Sequence, residues 1–316
     1  MSIGIPTVDL VKFKSGDEDQ RRGFIQNLGQ AFHRVGFVAV VNHGIDFELV
    51  DQFYSSAEDF FALPREVKSK YEIEGLAGQR GYTAFGKEHA KQSNVGDLKE
   101  FYQIGQALPD GHPLSQEYPA NVYVDEVQSF TELGDKLYRS FEESGALLLR
   151  AIALHRGLKE AYFDEKIEYG NSILRAIHYP PITEEPKSAI RAEQHEDINL
   201  ITLLVGASAG GLQLLNKQME WKDIQPEDNE IVVNVGDMLQ RLTNDYLKST
   251  THRVVNPPRE LWHTPRLSIP FFLHPKSDMD LSVLDSCVSE DRPKIYDPIT
   301  AGDYLDERLR EIGLKK

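Results

Sequence analysis

His195-Glu196-Asp197-Ile198-Asn199-Leu200-Ile201-Thr202-Leu203-Leu204 sets two metal-ligand side chains, two residues apart, directly before an apolar run. In an extended strand, residues i and i+2 point to one face, so His195 and Asp197 are expected to project together while Glu196 points away. The run that follows is rich in Ile and Leu, as in a buried strand. Similar short runs surround it, each bounded by turn residues: Ser172 to Tyr179, Asn199 to Val205, Gly211 to Leu215, Glu230 to Val235, Thr251 to Val255 and Arg266 to Leu273. Their spacing predicts an antiparallel sandwich or double-sheet jelly roll over residues 170–316. The tract Gly206 to Gly211 (GASAGG) lies between two of these runs with no Gly-Lys-Ser/Thr after it, and reads as a flexible turn rather than a phosphate cradle.

Upstream the pattern is helical. Phe24, Ile25, Leu28, Ala31 and Phe32 recur at spacings of three and four, and Ser15 with Glu18 is expected to form a capping box for a helix that ends near Gly36. Phe37 to Asn42 (FVAVVN) reads as a strand, and a second helix begins near Asp46 and breaks at Leu63-Pro64. From Asn121 to His155, Val127, Phe130, Leu137, Phe141, Leu148 and Ile152 predict a helix on the order of 50 Å long, with Gly134 and Gly145 as the candidate break points. A last helix is expected from Ala301 to Ile312. The resulting division is an N-terminal region of helical character (1–120), a long central helix with its connector (121–169) and a C-terminal β domain (170–316), forming one unit.

A cation bound by His195 and Asp197 needs a third ligand. His252, fifty-five residues beyond Asp197, opens a predicted strand and is the best candidate. Two histidines and one carboxylate form a facial set that suits Fe(II) and leaves positions open for other ligands. The same set also holds zinc in hydrolases. Each histidine has a purely structural alternative, as a core residue satisfied by a backbone carbonyl. Fourteen residues past His252, Arg266 and Ser268 again stand at i and i+2 of a strand. A guanidinium fork beside a hydroxyl suits a carboxylate, which accepts two parallel charge-assisted hydrogen bonds from arginine. The other histidines lack a matching partner spacing, with His178 the one expected nearest the site.

The bulk properties narrow the partners. The formal net charge is −15 over 316 residues, so the averaged surface repels phosphate backbones and anionic lipid. Nucleic acid and membranes are therefore not expected as partners. Cys287 is the single cysteine, so no disulfide forms within the chain and no thiolate cluster can hold the metal. A reducing, cytoplasmic setting fits that usage, and the first thirty residues carry neither a signal-peptide pattern nor a membrane-length apolar run. A monomer is the default expectation.

Taken together, these segments resemble the isopenicillin N synthase-like 2-oxoglutarate and Fe(II)-dependent oxygenases along nearly the whole chain. The resemblance is carried by GFVAVVNHGI (36–45), FFALPREVKSKY (60–71), RGYTAFGKE (80–88) and DLKEFYQIG (97–105). It continues in LRAIHYPPI (174–182), HEDINLITLL (195–204), VNVGDMLQRLTND (233–245), STTHRVVNPP (249–258) and PRLSIPFFLHP (265–275). It implies a distorted double-stranded β-helix, a cupin-like jelly roll with helices packed outside it. It also implies that His195, Asp197 and His252 hold Fe(II), and that Arg266, Ser268 and Tyr179 hold the distal carboxylate of 2-oxoglutarate. The implied reaction consumes O2 and oxidises a small-molecule substrate, by default hydroxylating it, with succinate and CO2 as co-products. Many members carry Asn two residues before that tyrosine, where this chain has Ile177. Some relatives use the same triad as Fe(II) oxidases without 2-oxoglutarate, so that alternative stands beside the zinc hydrolase. Arg80, Tyr82, Phe85, Phe101 and Tyr102 are the expected substrate-lining residues.

Overall fold

The computed structural model describes residues 5–76, 78–89, 95–311 and 314. Among these, the strands are β1 (Thr7–Asp9), β2 (Phe37–Val41), β3 (Gly81–Thr83), β4 (Glu100–Gly105), β5 (Ile173–Tyr179), β6 (Ala192–His195), β7 (Ile201–Val205), β8 (Leu212–Leu215), β9 (Trp221–Asp223), β10 (Ile231–Val235), β11 (His252–Val254) and β12 (Arg266–Leu273). The α-helices are α1 (Leu10–Lys14), α2 (Glu18–Arg34), α3 (Phe47–Phe61), α4 (Arg65–Lys68), α5 (Gln128–His155), α6 (Asp164–Ile167), α7 (Asp237–Leu242) and α8 (Ala301–Glu311). An eight-stranded sheet in the order β1-β2-β10-β7-β12-β5-β4-β3 faces a four-stranded sheet in the order β6-β11-β8-β9. This is the expected jelly roll.

The N-terminal half does more than support that roll with helices. It contributes β1 and β2 to one edge of the large sheet and β3 and β4 to the other. All six residues of β4 are buried, including Glu100 and Gln103, so the strand lacks the polar-out alternation that would mark it. Lys68 Nζ lies 2.8 Å from Glu100 Oε2 and His178 Nδ1 lies 2.8 Å from Glu100 Oε1, which compensates the buried charge.

The long helix α5 starts at Gln128 rather than Asn121 and runs unbroken for 28 residues, about 42 Å at 1.5 Å per residue. Its two interior glycines are close-approach points, not breaks. A Cβ on Gly134 would lie 2.1 Å from Ile104 Cδ1, and one on Gly145 would lie 2.3 Å from Leu273 Cδ1. The large sheet therefore packs directly against the helix backbone. The N-terminal cap also differs from expectation. Asp17 and Gln20 form the capping box of α2, because Ser15 is taken up as the C-cap of the short helix α1. The last helix ends at Glu311, and Ile312 lies outside the described residues.

Period-two alternation divides the large sheet into two faces. Leu174, Ala176, Leu203, Val233, Ile269 and Phe271 belong to one core with Phe53, Phe60, Phe130 and Phe141 of the helices. Phe130 stacks between Phe53 and Phe60, with centroids 5.3 and 5.0 Å away. On the opposite face Phe37, Phe101, Ile177, Tyr179 and Val232 meet Leu212, Leu214 and Val254 of the small sheet. The site opens between the sheets on this second face.

Candidate metal and cosubstrate site

His195 is the last residue of β6 and His252 the first of β11, and the two are direct partners in the antiparallel register. Their rings are 4.5 Å apart, centroid to centroid. Asp197 does not share a strand with His195. It lies in the connection after β6, where its carbonyl accepts the Asp237 amide at 2.7 Å, and this tie turns the carboxylate toward the histidines. One ligand atom from each of His195, Asp197 and His252 falls within 4.8 Å of the others. Glu196 points elsewhere, accepting a hydrogen bond from Thr251 Oγ1 at 2.8 Å.

The remaining polar atoms of the three residues are already committed. His195 Nδ1 lies 2.7 Å from the Glu193 carbonyl and His252 Nδ1 lies 3.0 Å from the Thr250 carbonyl. A carbonyl only accepts, so both Nδ1 atoms carry the proton and both Nε2 lone pairs are left for a metal. Those Nε2 atoms lie 3.9 and 3.7 Å from Asp197 Oδ1. Asp197 Oδ2 accepts from Thr202 Oγ1 at 2.6 Å and Asn234 Nδ2 at 2.7 Å, so Oδ1 is the oxygen that remains. These carbonyls and side chains, invisible in the sequence pattern, fix the tautomers and the carboxylate orientation.

The protonation states suit a cation as well. Burial, with the neighbouring His252, pushes His195 down to about 4 despite the opposing pull of Asp197. For Asp197, burial pushes upward, but the two histidines and the hydrogen bonds from Asn234 and Thr202 outweigh it and hold the carboxyl below its ordinary range. At neutral pH His195 is a neutral imidazole and Asp197 a carboxylate, the forms that bind a divalent metal.

The three residues line a cavity of about 850 Å³ together with Tyr179, Arg266 and Ser268. In register, Arg266 pairs with Tyr179 and Ser268 pairs with Ile177, so all four share the inner face. Arg266 is 2% exposed, and its Cζ lies 5.0 Å from the centre of the Tyr179 ring. Its Nε donates to the Ala209 carbonyl at 3.0 Å, so the GASAGG turn props the guanidinium. Its Nη1 is buried with no hydrogen-bond partner among the described residues. A buried, unsatisfied guanidinium nitrogen beside a hydroxyl is what a carboxylate ligand would complete. Ile177 gives this wall an apolar side chain opposite Ser268, where many family members carry an amide.

The predicted substrate-lining residues do not line the cavity. Tyr82 and Tyr102 are register partners and face the helical core. There Tyr82 Oη donates to Glu100, and Tyr102 Oη donates to the Val122 carbonyl at 2.6 Å. Phe85 is 51% exposed, and the Arg80 guanidinium is buried against Gly105. Phe101 has the correct parity but is covered by Arg175, whose Cζ lies 4.1 Å from its ring centre. His178 stacks on Phe61 on the far face, and His89 and His274 are the further histidines on the cavity wall.

Sequence reasoning missed the polar wall. Lys99 Nζ lies 2.7 Å from Glu88 and 2.8 Å from Asp97, while Arg175 bonds Glu88 at 3.2 Å and Gln103 at 3.0 Å. Burial pushes the Glu88 carboxyl up, but the cations of Arg175 and Lys99 prevail and hold it at about 2. The parity of Arg175 with Ile177 and Tyr179 was a readable signal for one member of this group.

Comparison with known proteins agrees with this geometry. Residues 170–275 match the model of the 2OG-Fe(II) oxygenase superfamily, and residues 5–126 match that of the N-terminal region of non-haem dioxygenases in morphine synthesis. The chain belongs to the 2OG-Fe(II) oxygenase superfamily and is a 2-oxoglutarate-dependent dioxygenase using Fe(II) and O2. It is 32% identical to the 2-oxoglutarate-dependent dioxygenase htyE of Aspergillus rugulosus, covering 97% of this chain and 98% of that one. Among solved structures, a 2OG-Fe(II) oxygenase family protein from Caulobacter crescentus is 41% identical with a TM-score of 0.88, covering 99% of this chain and 100% of that chain. Neurospora crassa T7H in complex with alpha-KG and thymine is 32% identical with a TM-score of 0.85, covering 97% of this chain and 96% of that chain. Among the described residues, no helix is long and apolar enough to cross a membrane.

Proposed function

We propose that His195, Asp197 and His252 hold Fe(II), and that Arg266, Ser268 and Tyr179 hold the distal carboxylate of 2-oxoglutarate. The enzyme then oxidises a small polar molecule placed against Glu88, Lys99 and Arg175. The observation that carries this reading is the spare ligand set: one atom from each of the three residues within 4.8 Å, with every other polar atom of those side chains occupied.

When bound, the iron with 2-oxoglutarate and O2 supplies an oxidant for an aliphatic C–H bond and yields succinate and CO2. The chain's own residues position and select. Thr202 and Asn234 keep Asp197 ionised and aimed, while the Glu193 and Thr250 carbonyls hold the protons on the Nδ1 atoms of the histidines. Arg266 and Ser268 fix the far end of the cosubstrate, so its reactive end has one orientation at the metal. Glu88, Asp97, Lys99 and Arg175 balance one another in charge, so this wall favours an uncharged or zwitterionic substrate with both donor and acceptor edges. Thymine, present in the T7H complex, has such edges. The lone cysteine fits a cytoplasmic enzyme.

The test is O2-dependent succinate formation from 2-oxoglutarate across a panel of pyrimidines and amino acids. A substrate should raise succinate above the uncoupled background, and His195→Ala and Asp197→Ala should each abolish it. Undiminished turnover in either variant would sink the ligand assignment.

A further inference from the structure

Beside Arg266, a second buried guanidinium stands at the same end of the site. Arg191 precedes β6, is 2% exposed, and lies with its Cζ 5.9 Å from the centre of the Tyr179 ring that Arg266 also flanks. Its Nη2 donates to the Thr264 carbonyl at 2.9 Å, and its Nε is buried without a partner among the described residues. Arg266 likewise donates to a carbonyl, not to a carboxylate. Among the described residues no acid forms an ion pair with either guanidinium, whereas two other cations of the cavity wall, Lys99 and Arg175, are both paired. Burial and the nearby Arg266 push Arg191 down to about 10, so at neutral pH Arg191 stays charged.

Two uncompensated cations buried around one tyrosine are costly unless an anion joins them. Tyr179 lines the cavity and Arg191 lies behind it, so Arg191 would act across the ring rather than by contact. Ile177 removes an amide donor that many family members place on this wall, which leaves more of the anion's stabilisation to charge.

We propose that Arg191 is a positioning residue for the cosubstrate, its charge adding to that of Arg266 to select a 2-oxo acid carrying a second carboxylate. This rests on the cosubstrate site proposed above. It separates Arg191 from a merely structural arginine, because a structural role would not distinguish between acids of different charge.

The experiment is calorimetric titration of the Mn(II)-loaded protein, which binds without turnover, with 2-oxoglutarate and with 2-oxobutyrate, which lacks the distal carboxylate. Arg191→Gln should weaken 2-oxoglutarate on the order of tenfold, the scale of one charge-assisted interaction, and leave 2-oxobutyrate within about twofold. Arg191→Lys should recover most of the discrimination. Arg191→Met, which keeps the aliphatic stem on Tyr179, carries the same expectation should the Gln variant fail to fold. Equal weakening of both acids, or of neither, overturns the proposal. Arg266→Gln is run alongside: if it leaves 2-oxoglutarate binding unchanged, the cosubstrate site itself is misplaced, which is a different failure.

Discussion

Thr202→Val isolates the hydrogen bonding that prepares the metal site. Thr202 is 3% exposed on the inner face of β7, and valine matches its shape while removing the hydroxyl. That hydroxyl donates to Asp197 Oδ2 at 2.6 Å and accepts from Asn199 Nδ2 at 2.8 Å. A buried hydrogen bond to a charged group contributes roughly 1.5–3 kcal/mol, so its loss raises the Asp197 carboxyl from its depressed position. Asn234 remains as the one side-chain donor to Oδ2, so the carboxylate is also less firmly aimed. Metal affinity should fall by about 10–100-fold at pH 7, the range for loss of a group that orients a ligand. The metal-free variant should lose about 1–3 kcal/mol of stability from the unpaired Asn199 donor. The sign with pH also follows. A carboxyl held below its ordinary range adds stability above its unfolded pKa of about 3.9, and this is lost as pH falls through the depressed folded value. With Asp197 less depressed in the variant, that contribution shrinks and its loss is complete at a higher pH. Anaerobic calorimetry with Fe(II) and urea denaturation read the two effects. Unchanged metal affinity in a folded Thr202→Val protein would refute the role given to this hydroxyl.

Burial holds His195, His155 and His274 near 4, well below the value of about 6.5 in an unfolded chain, so the unfolded state takes up protons first. Metal-free protein should therefore lose stability as pH falls from about 6.5 toward 4, by up to about 1.4 kcal/mol per pH unit for each histidine, and urea midpoints equal at pH 7 and pH 5 would contradict this. Gly145→Ala should destabilise by about 1–2 kcal/mol in denaturant titrations despite alanine's better helix propensity, because its Cβ meets Leu273 Cδ1 at 2.3 Å in a packed core. Tyr82→Phe should leave the 2-oxoglutarate concentration dependence of succinate formation unchanged, since Tyr82 faces the helical core; a raised requirement would return it to the cavity.

The parts of the fold that were legible are those where one physical signal dominated. Arg266–Leu273 is apolar throughout apart from its first residues and bounded by turn residues, and its predicted limits coincide with β12. Asp46 caps α3 as its position before an amphipathic run predicts. The start of α5 was misread because Val122 and Val124 pack against the core from an extended segment, and apolar spacing alone does not distinguish such a segment from a helix. At the site, His195, Asp197 and His252 converge as their spacing suggested, although by a register pair and a connecting loop rather than by a shared strand. Two of the expected substrate-lining residues are turned away by parity: in β3 and β4 a one-residue difference decides which face is reached, so Tyr82 and Tyr102 turn toward the helical core while Gln103 and Thr83 turn inward. The carbonyls of Glu193 and Thr250 and the charges of Lys99 and Arg191 were not legible, since each acquires its role from a residue distant in sequence or from local backbone geometry.

The most direct measurement is the stoichiometry of Fe(II) bound under anaerobic conditions to the wild type and to Asp197→Ala, with far-ultraviolet circular dichroism confirming that both are folded. One iron per chain in the wild type, and a loss of at least about tenfold in affinity for the variant, is the predicted result. Equal iron binding by the two proteins would contradict the assignment of His195, Asp197 and His252 as the metal site.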